Sequence, residues 1–319
     1  MRLARLVPVL VVSCSLFAPL GNIICGDTFG SGANAFAIEF VPIGQPGNPP
    51  YSIENPAGAV AYNYRIGKYE ISEQMIDKAN ALGGLGITKD TRGPDKPATS
   101  VTWYEAAMFV NWLNTSTNNS PAYKFDGSGN FQLWDPNDPG YDAANLYRNK
   151  RARYVLPSIH EWHKAAYYDP NADVWYDYPT GSNDIPDGID FVNDPNFDAI
   201  FNDGGNNLGP NVITDVGIAS PYDTFGQGGN VWEWNETAFD RVNDEANEHR
   251  RAPGGSWGDI HTLLNASNGL TGIAASFQGN FIGFRVVTIP EPSAQLLLII
   301  GIISARRVKK PMRRVTAHP

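Results

Sequence analysis

Three stretches of this chain carry apolar residues at helical spacing, each behind a residue suited to cap a helix. Ser72 precedes Met75, Ile76, Ala79 and Leu82, which share one face. Thr102-Trp103-Tyr104-Glu105 has the form of a capping box, in which hydroxyl and carboxylate each take up a free backbone N–H. Ala106, Phe109, Val110 and Leu113 follow it at helical spacing. Ser158-Ile159-His160-Glu161 repeats that signature, with Pro157 just outside the cap and Ile159, Trp162 and Ala166 on one face. Strands are predicted at Ala37–Val41, Tyr64–Ile71 and Gly283–Val287, the second bulged at its glycine. Between Asp169 and Gly229 almost nothing is periodic. A stretch that long stays ordered only if a ligand or dense side-chain pinning holds it.

Both ends carry a different pattern. Arg2 and Arg5 precede an uncharged apolar run from Leu6 to Leu20, and Ala33-Asn34-Ala35 offers a cleavage site. Residues 1–35 therefore read as a signal peptide, with an earlier cut near Gly26 and a retained anchor as alternatives. At the other end Ile289-Pro290-Glu291-Pro292 is followed by an apolar run, Leu296 to Ile303. Arg306, Arg307, Lys309, Lys310, Arg313 and Arg314 come after it. A short apolar helix ending in basic residues stops in a membrane with its positive end inside. Residues 289–319 thus resemble the PEP-CTERM sorting signal of Gram-negative bacteria, with Ile289 where Val is usual. The resemblance implies transient membrane anchoring through 294–305, processing by an exosortase, and release to the cell surface or extracellular matrix. An ordinary C-terminal anchor is the alternative.

The body between these ends, 36–288, is sized for a single domain with one large core. Removing both ends takes the eight basic residues just named and almost no acidic ones, so the body is more acidic than the net −9 of the full chain. Such a surface repels nucleic acid. Gly (32), Pro (24) and abundant Tyr, Phe and Trp point to long loops pinned by aromatics. The two cysteines, Cys14 and Cys25, both precede Ala35, so a body cut there holds no disulfide, thiolate metal site or thiol nucleophile. A lipoprotein at Cys25 is disfavoured by Ile24.

Seven segments, in order, resemble the formylglycine-generating enzyme (sulfatase-modifying factor) family. They are Tyr64–Ser72, Pro97–Leu113, Tyr154–Tyr168, Tyr178–Asn183, Gly229–Trp234, Gly254–Trp257 and Gly283–Val286. The resemblance implies an α+β, C-type-lectin-like fold that is loop-rich with few short strands and helices. Trp232 and Trp234 then serve as core anchors, Gly254 and Gly255 allow a tight backbone path, and Arg285 pairs with a buried carboxylate, Glu233 being one candidate. The active enzymes carry two cysteines after the Gly-Gly-Ser motif that bind copper. Those positions fall here on Asp259 and Leu264, so neither copper binding nor formylglycine formation is expected. The iron-dependent branch of the family adds a helical domain that is missing here. His160 and His163 share a helix at i, i+3, but are expected at its flank in structural or solvent-facing roles.

The family's calcium sites are built from loop oxygens. One would use the carbonyls of Gly229 and Val231 and the carboxylate of Glu233, although its usual side-chain ligand is replaced by Gly226. Asp223 or Gln227 are possible substitutes, and pairing of Glu233 with Arg285 is the alternative. Asn202, Asp203, Asn206 and Asn207 are candidates for a second site. Asp135-Pro136-Asn137-Asp138-Pro139-Gly140 imitates an EF-hand start but lacks its closing Glu and reads as a turn.

Two function classes follow. The first is a non-catalytic surface module that binds polysaccharide or protein, with Trp134, Tyr141, Tyr147, Trp175 and Tyr176 as candidate stacking platforms. The second is an enzyme of divergent chemistry with Asp259 and His261 as acid and base.

Overall fold

The computed structural model describes residues 25–52, 56–189, 194, 196–205, 208–268 and 272–289. Residues 1–24 of the expected leader and the expected tail beyond Ile289 lie outside these residues. Among the described residues no helix is long and apolar enough to cross a membrane.

The main sheet has five antiparallel strands. Strand β1 (Cys25–Phe29) pairs with β2 (Phe36–Ile43), and β2 with β3 (Tyr64–Gly67). Val287–Thr288 lies between β3 and Tyr154–Val155, so the last described segment fills an interior position. The inward residues of β2 include Phe36, Ile38, Phe40 and Ile43, all buried. Phe36 stacks on Phe109 and Trp112 of a helix behind the sheet.

The three capped helices form as their sequences predict. In α1 (Glu73–Gly83) the Ser72 hydroxyl accepts from Met75 N, and Gly84 closes the helix in a left-handed conformation with φ 60°. Helices α2 (Trp103–Ser116) and α3 (Ile159–Tyr167) both begin with complete capping boxes. The expected inner face of α1 is half right. Ile76 and Ala79 are fully buried and Met75 packs at the margin, but Leu82 is 41% exposed because the helix end runs past the core.

Two strand expectations need correction. The stretch Tyr64–Ile71 leaves the sheet after Gly67, whose N–H bonds Val286 O, and Ile71 then bonds Phe284 O and Ala98 N. The expected strand Gly283–Val287 is split. Ile282–Gly283 pairs in parallel with Trp232–Glu233, and Val287–Thr288 joins the main sheet. Between them Phe284, Arg285 and Val286 are wholly buried. The break lets Arg285 turn inward instead of alternating out to solvent.

The folded body also starts earlier than the expected boundary at Phe36. Phe29 is buried, and the Asp27 carboxylate bonds both Arg65 and the Tyr154 hydroxyl. A cut after Ala35 would remove β1 and these contacts, whereas a cut just before Cys25 would keep them.

In the aperiodic stretch from Asp169 to Gly229, side chains pin the described residues. A hairpin joins Tyr168–Asp169 to Val174–Trp175, and Tyr178, Phe201, Ala199 and Leu264 form a small separate core. Asp135–Gly140 is a turn, with Asp138 N on Asp135 O and Lys124 bridging Asp135 and Asp138.

Candidate functional site

Two glycine-bearing loops converge on one buried ionic hub. Gly229 and Gly254 both have positive φ, and Gly229 N bonds Gly254 O at 2.8 Å. A Cβ on Gly254 would sit 2.7 Å from Gln227 O, so only glycine fits this crossing. The loop from Gly229 delivers Trp232, Glu233 and Trp234. Trp234 is wholly buried, its indole N–H bonding Val101 O, and Trp232 is nearly so. Both are core anchors.

Glu233 and Arg285 are each wholly buried and meet in a bidentate pair. Arg285 Nε bonds Oε2 and Nη2 bonds Oε1, both at 2.6 Å. Trp162 Nε1 adds a 2.7 Å bond to Oε2. The remaining guanidinium donors go to the carbonyls of Gly67, Lys68 and Phe225. Every donor of this buried cation is therefore satisfied, which is the condition for an ion pair to be tolerated away from water.

A third group at the hub was not legible in the sequence. Glu70 is buried, and Asn230 Nδ2 bonds its Oε1 at 2.8 Å while Oε2 has no hydrogen-bond partner. Burial pushes its carboxyl up to about 7, with Glu233 acting in the same direction and Arg285 opposing. Gly226 makes room for it, since a Cβ there would lie 2.6 Å from Glu70 Oε1. The position that supplies a side-chain ligand in the family thus faces an incoming carboxylate from another segment.

These residues do not fit calcium at Gly229, Val231 and Glu233. Both carboxylate oxygens of Glu233 are committed to Arg285 and Trp162, so no full set of charged oxygens faces the loop. The proposed substitutes are engaged as well. Asp223 lies 3.3 Å from Lys68 Nζ, and Gln227 accepts from Thr224 and donates to Trp162 O. Among the described residues no three acidic, His or Cys side chains group as a metal site. At the second candidate site Asn202 Oδ1 takes the Gly204 N–H, Asp203 is exposed, and Asn206 and Asn207 lie outside the described residues.

Asp259 clamps a turn. Its Oδ2 accepts from Trp232 Nε1 (2.7 Å), Ser256 N (2.8 Å) and Ser256 Oγ (2.6 Å). Its carbonyl takes the Asn202 N–H. His261 bonds elsewhere, its Nδ1 lying 3.0 Å from the Tyr178 hydroxyl. Leu264 is buried against Tyr178 and Phe201, and its carbonyl accepts from Tyr167. The Asp259 carboxylate and the His261 ring therefore have separate partners.

His163 corrects the expectation of a flank position. It is buried, Nε2 bonds Ala266 O at 3.0 Å, and burial pulls its imidazole down to about 4. It packs in a cage of Tyr51, Tyr167 and Trp175. Two of the stacking candidates are also inside. Tyr147 is wholly buried with its hydroxyl on Glu245 O and Glu248, and Trp134 is 9% exposed with its indole N–H on Ala122 O. Tyr141, Trp175 and Tyr176 are half-buried.

A family model described as the sulfatase-modifying factor enzyme 1-like domain matches residues 54–289. Among solved structures the chain is similar to CarF, at 20% identity and TM-score 0.55, covering 80% of this chain and 99% of that one. It is similar to the variable protein 1 of Treponema denticola, at 20% identity and TM-score 0.56, covering 83% and 99%. PvdO from Pseudomonas aeruginosa aligns at 15% identity and TM-score 0.51, covering 83% and 98%. At these identities the likeness shows the fold. A search of curated proteins gives no match.

Proposed function

We propose that this chain, which belongs to the sulfatase-modifying factor enzyme 1-like family, is a non-catalytic binding module of an exported protein. One observation carries the reading. The two positions where active members hold cysteines are Asp259 and Leu264, and no cysteine follows Cys25. Asp259 is engaged by Trp232 and Ser256, and Leu264 is core. Without thiolates there is no ligand set for copper and no group to abstract the hydrogen of a substrate cysteine.

The leader, 1–35, and the PEP-CTERM-like tail, 289–319, support export, exosortase processing and residence at the cell surface or in the matrix. Membrane attachment through 294–305 precedes release. The acidic body disfavours nucleic acid as a ligand. A C-type-lectin-like arrangement suits a ligand surface carried on loops, with polysaccharide or a surface protein as the ligand. Trp175, Tyr176 and Tyr141 remain as partly exposed aromatic contacts, while Trp134 and Tyr147 support the core. Because Arg285 holds Glu233, the loop after Gly229 is organised by an internal cation.

The test is direct. The purified chain is incubated with copper and a peptide bearing the sulfatase cysteine motif, and the product is followed by mass spectrometry. No formylglycine is expected. Glycan arrays and surface-protein pull-downs with the same preparation are expected to give a ligand. Formation of formylglycine by a chain with no cysteine after Cys25 would overturn the reading.

A further inference from the structure

The turn that leads into the hub has backbone groups without partners. Gly226, Gln227 and Gly228 are all buried. Among the described residues their three N–H groups find no acceptor, and the carbonyls of Gly226 and Gly228 find no donor. The residues on either side are paired in the ordinary way, Phe225 N on Lys68 O and Gly229 N on Gly254 O. The Gln227 side chain cannot help its own backbone, because Nε2 donates to Trp162 O and Oε1 accepts from Thr224. Buried peptide groups are nearly always paired, with protein, water or a ligand.

These three residues border a solvent-open cleft of about 220 Å³. Buried Ala199 and Val216 give it an apolar floor, and Ile218, 51% exposed, stands at its rim. Pro179 is one wall. A Cβ on Gly228 would lie 2.2 Å from Pro179 Cγ, so the backbone there stays bare. Thr180 and Asp198 complete the lining. Asp198 Oδ2 accepts from Asp187 N at 3.1 Å, and Oδ1 takes no bond among the described residues. Free donors, a free carboxylate oxygen and a small apolar surface thus share one cleft. A hydroxyl both donates and accepts, so two neighbouring hydroxyls of a sugar take bonds from the turn and give theirs to Asp198, while a C–H face of the ring packs on Ile218. A peptide strand does not match, because Gly226 at φ 69° and Gly229 at φ 85° curl the turn away from a ladder edge. An anionic group would meet the Asp198 carboxylate in a chain of net charge −9. A pocket that encloses a drug-sized ligand holds roughly 300–1,000 Å³, so this smaller cleft takes one edge of a ring.

We propose that this cleft is the subsite for one neutral sugar unit of a polysaccharide. The N–H groups of Gly226, Gln227 and Gly228 and the Asp198 carboxylate hold a pair of adjacent hydroxyls, and Ile218 supports the ring. The inference rests on the reading of the chain as a polysaccharide-binding module and deepens it, placing the contact at a bare turn instead of at the half-buried aromatics.

The full chain is titrated with the methyl glycosides of glucose, galactose and mannose, and with glucuronate as the acidic control. Amide chemical shifts of Gly226, Gln227 and Gly228 are followed by NMR. At least one neutral glycoside is expected to move these three amides saturably, and glucuronate to bind at least about tenfold more weakly. Asp198→Asn keeps the shape and an oxygen for Asp187 N but removes the charged acceptor, so half-saturation is expected to weaken at least about tenfold. Ile218→Arg, at an exposed position, fills the rim and is expected to abolish the shifts; it decides the matter should Asp198→Asn not fold. Three amides unmoved by every glycoside overturn the proposal, ordered water then being their partner. Equal binding by wild type and both variants, or by glucuronate and the neutral sugars, overturns it too. A glycan from the arrays that moves other amides removes this site and leaves the binding-module reading standing, whereas failure of arrays, pull-downs and glycosides together removes both.

Discussion

Replacing Glu233 with Gln probes the hub most directly. The change keeps the shape and removes the charge facing a wholly buried guanidinium. Breaking one partner of a buried pair costs about 3–5 kcal/mol, because the remaining charge is left uncompensated. Here a second carboxyl stands by. Glu70 is held near 7 partly by Glu233, so losing that charge lowers the Glu70 pKa and lets it ionise toward Arg285. That relief places the expected loss near the low end, about 3 kcal/mol. At about 2–4 °C per kcal/mol for a domain of this class, melting falls by about 6–12 °C. Urea unfolding at about pH 6, where wild-type Glu70 still holds its proton, would be measured in chelator for Glu233→Gln, Glu70→Gln and the double variant. Glu70→Gln alone is expected to be mild. The double variant should lose at least about 0.5 kcal/mol more than the two single losses together, since no carboxylate then faces Arg285. The wild type adds a pH signature. The native carboxyl of Glu70 holds its proton above its ordinary value of 4.5, so stability falls as pH rises from there to about 7, and Glu70→Gln removes that slope. A Glu233→Gln protein within about 0.5 kcal/mol of wild type, or a double variant no worse than the single, would refute the coupling.

Three further outcomes are expected. Asp259→Ala leaves the Trp232 indole N–H and the Ser256 amide without their acceptor and should cost about 1–3 kcal/mol, read by urea unfolding with a changed near-ultraviolet spectrum. His163 titrates with the opposite sign to Glu70. Its imidazole is held below the ordinary 6.5, so its contribution is present above that value and is lost as pH falls toward about 4. His163→Gln should flatten that acid limb of the stability curve. A chain beginning at Phe36 loses the burial of Phe29 and the Asp27 contacts, and should be less stable than one beginning at Cys25 by at least about 1.5–3 kcal/mol. Amino-terminal sequencing of the protein isolated from its cells shows which of the two is made.

What the sequence revealed is what local chemistry governs. The caps at Ser72, Thr102 and Ser158 involve residues three apart, and all three were legible. So were the anchoring tryptophans and, as one candidate partner for Arg285, Glu233. Glu70 was not legible, because only the fold brings it against Gly226, some 150 positions later in the chain. The inward placement of His163, Trp134 and Tyr147 was missed for a related reason. Each lies beside polar residues in sequence, and partners from distant loops bury it. The strand expected at Gly283–Val287 failed because its alternation serves two sheets in turn, with Arg285 at the changeover.

That changeover has a temporal side. Val287–Thr288 fills an interior place in the main sheet, between β3 and Tyr154–Val155. Arg285, two residues earlier, completes the hub. A ribosome releases these residues after nearly all of the described body, so neither sheet nor hub can close until that body is almost wholly made. Pairings this distant form slowly. Under the export proposed above, a chain threaded through a narrow channel before it folds would gain time from this order of assembly, with its final stitch written last.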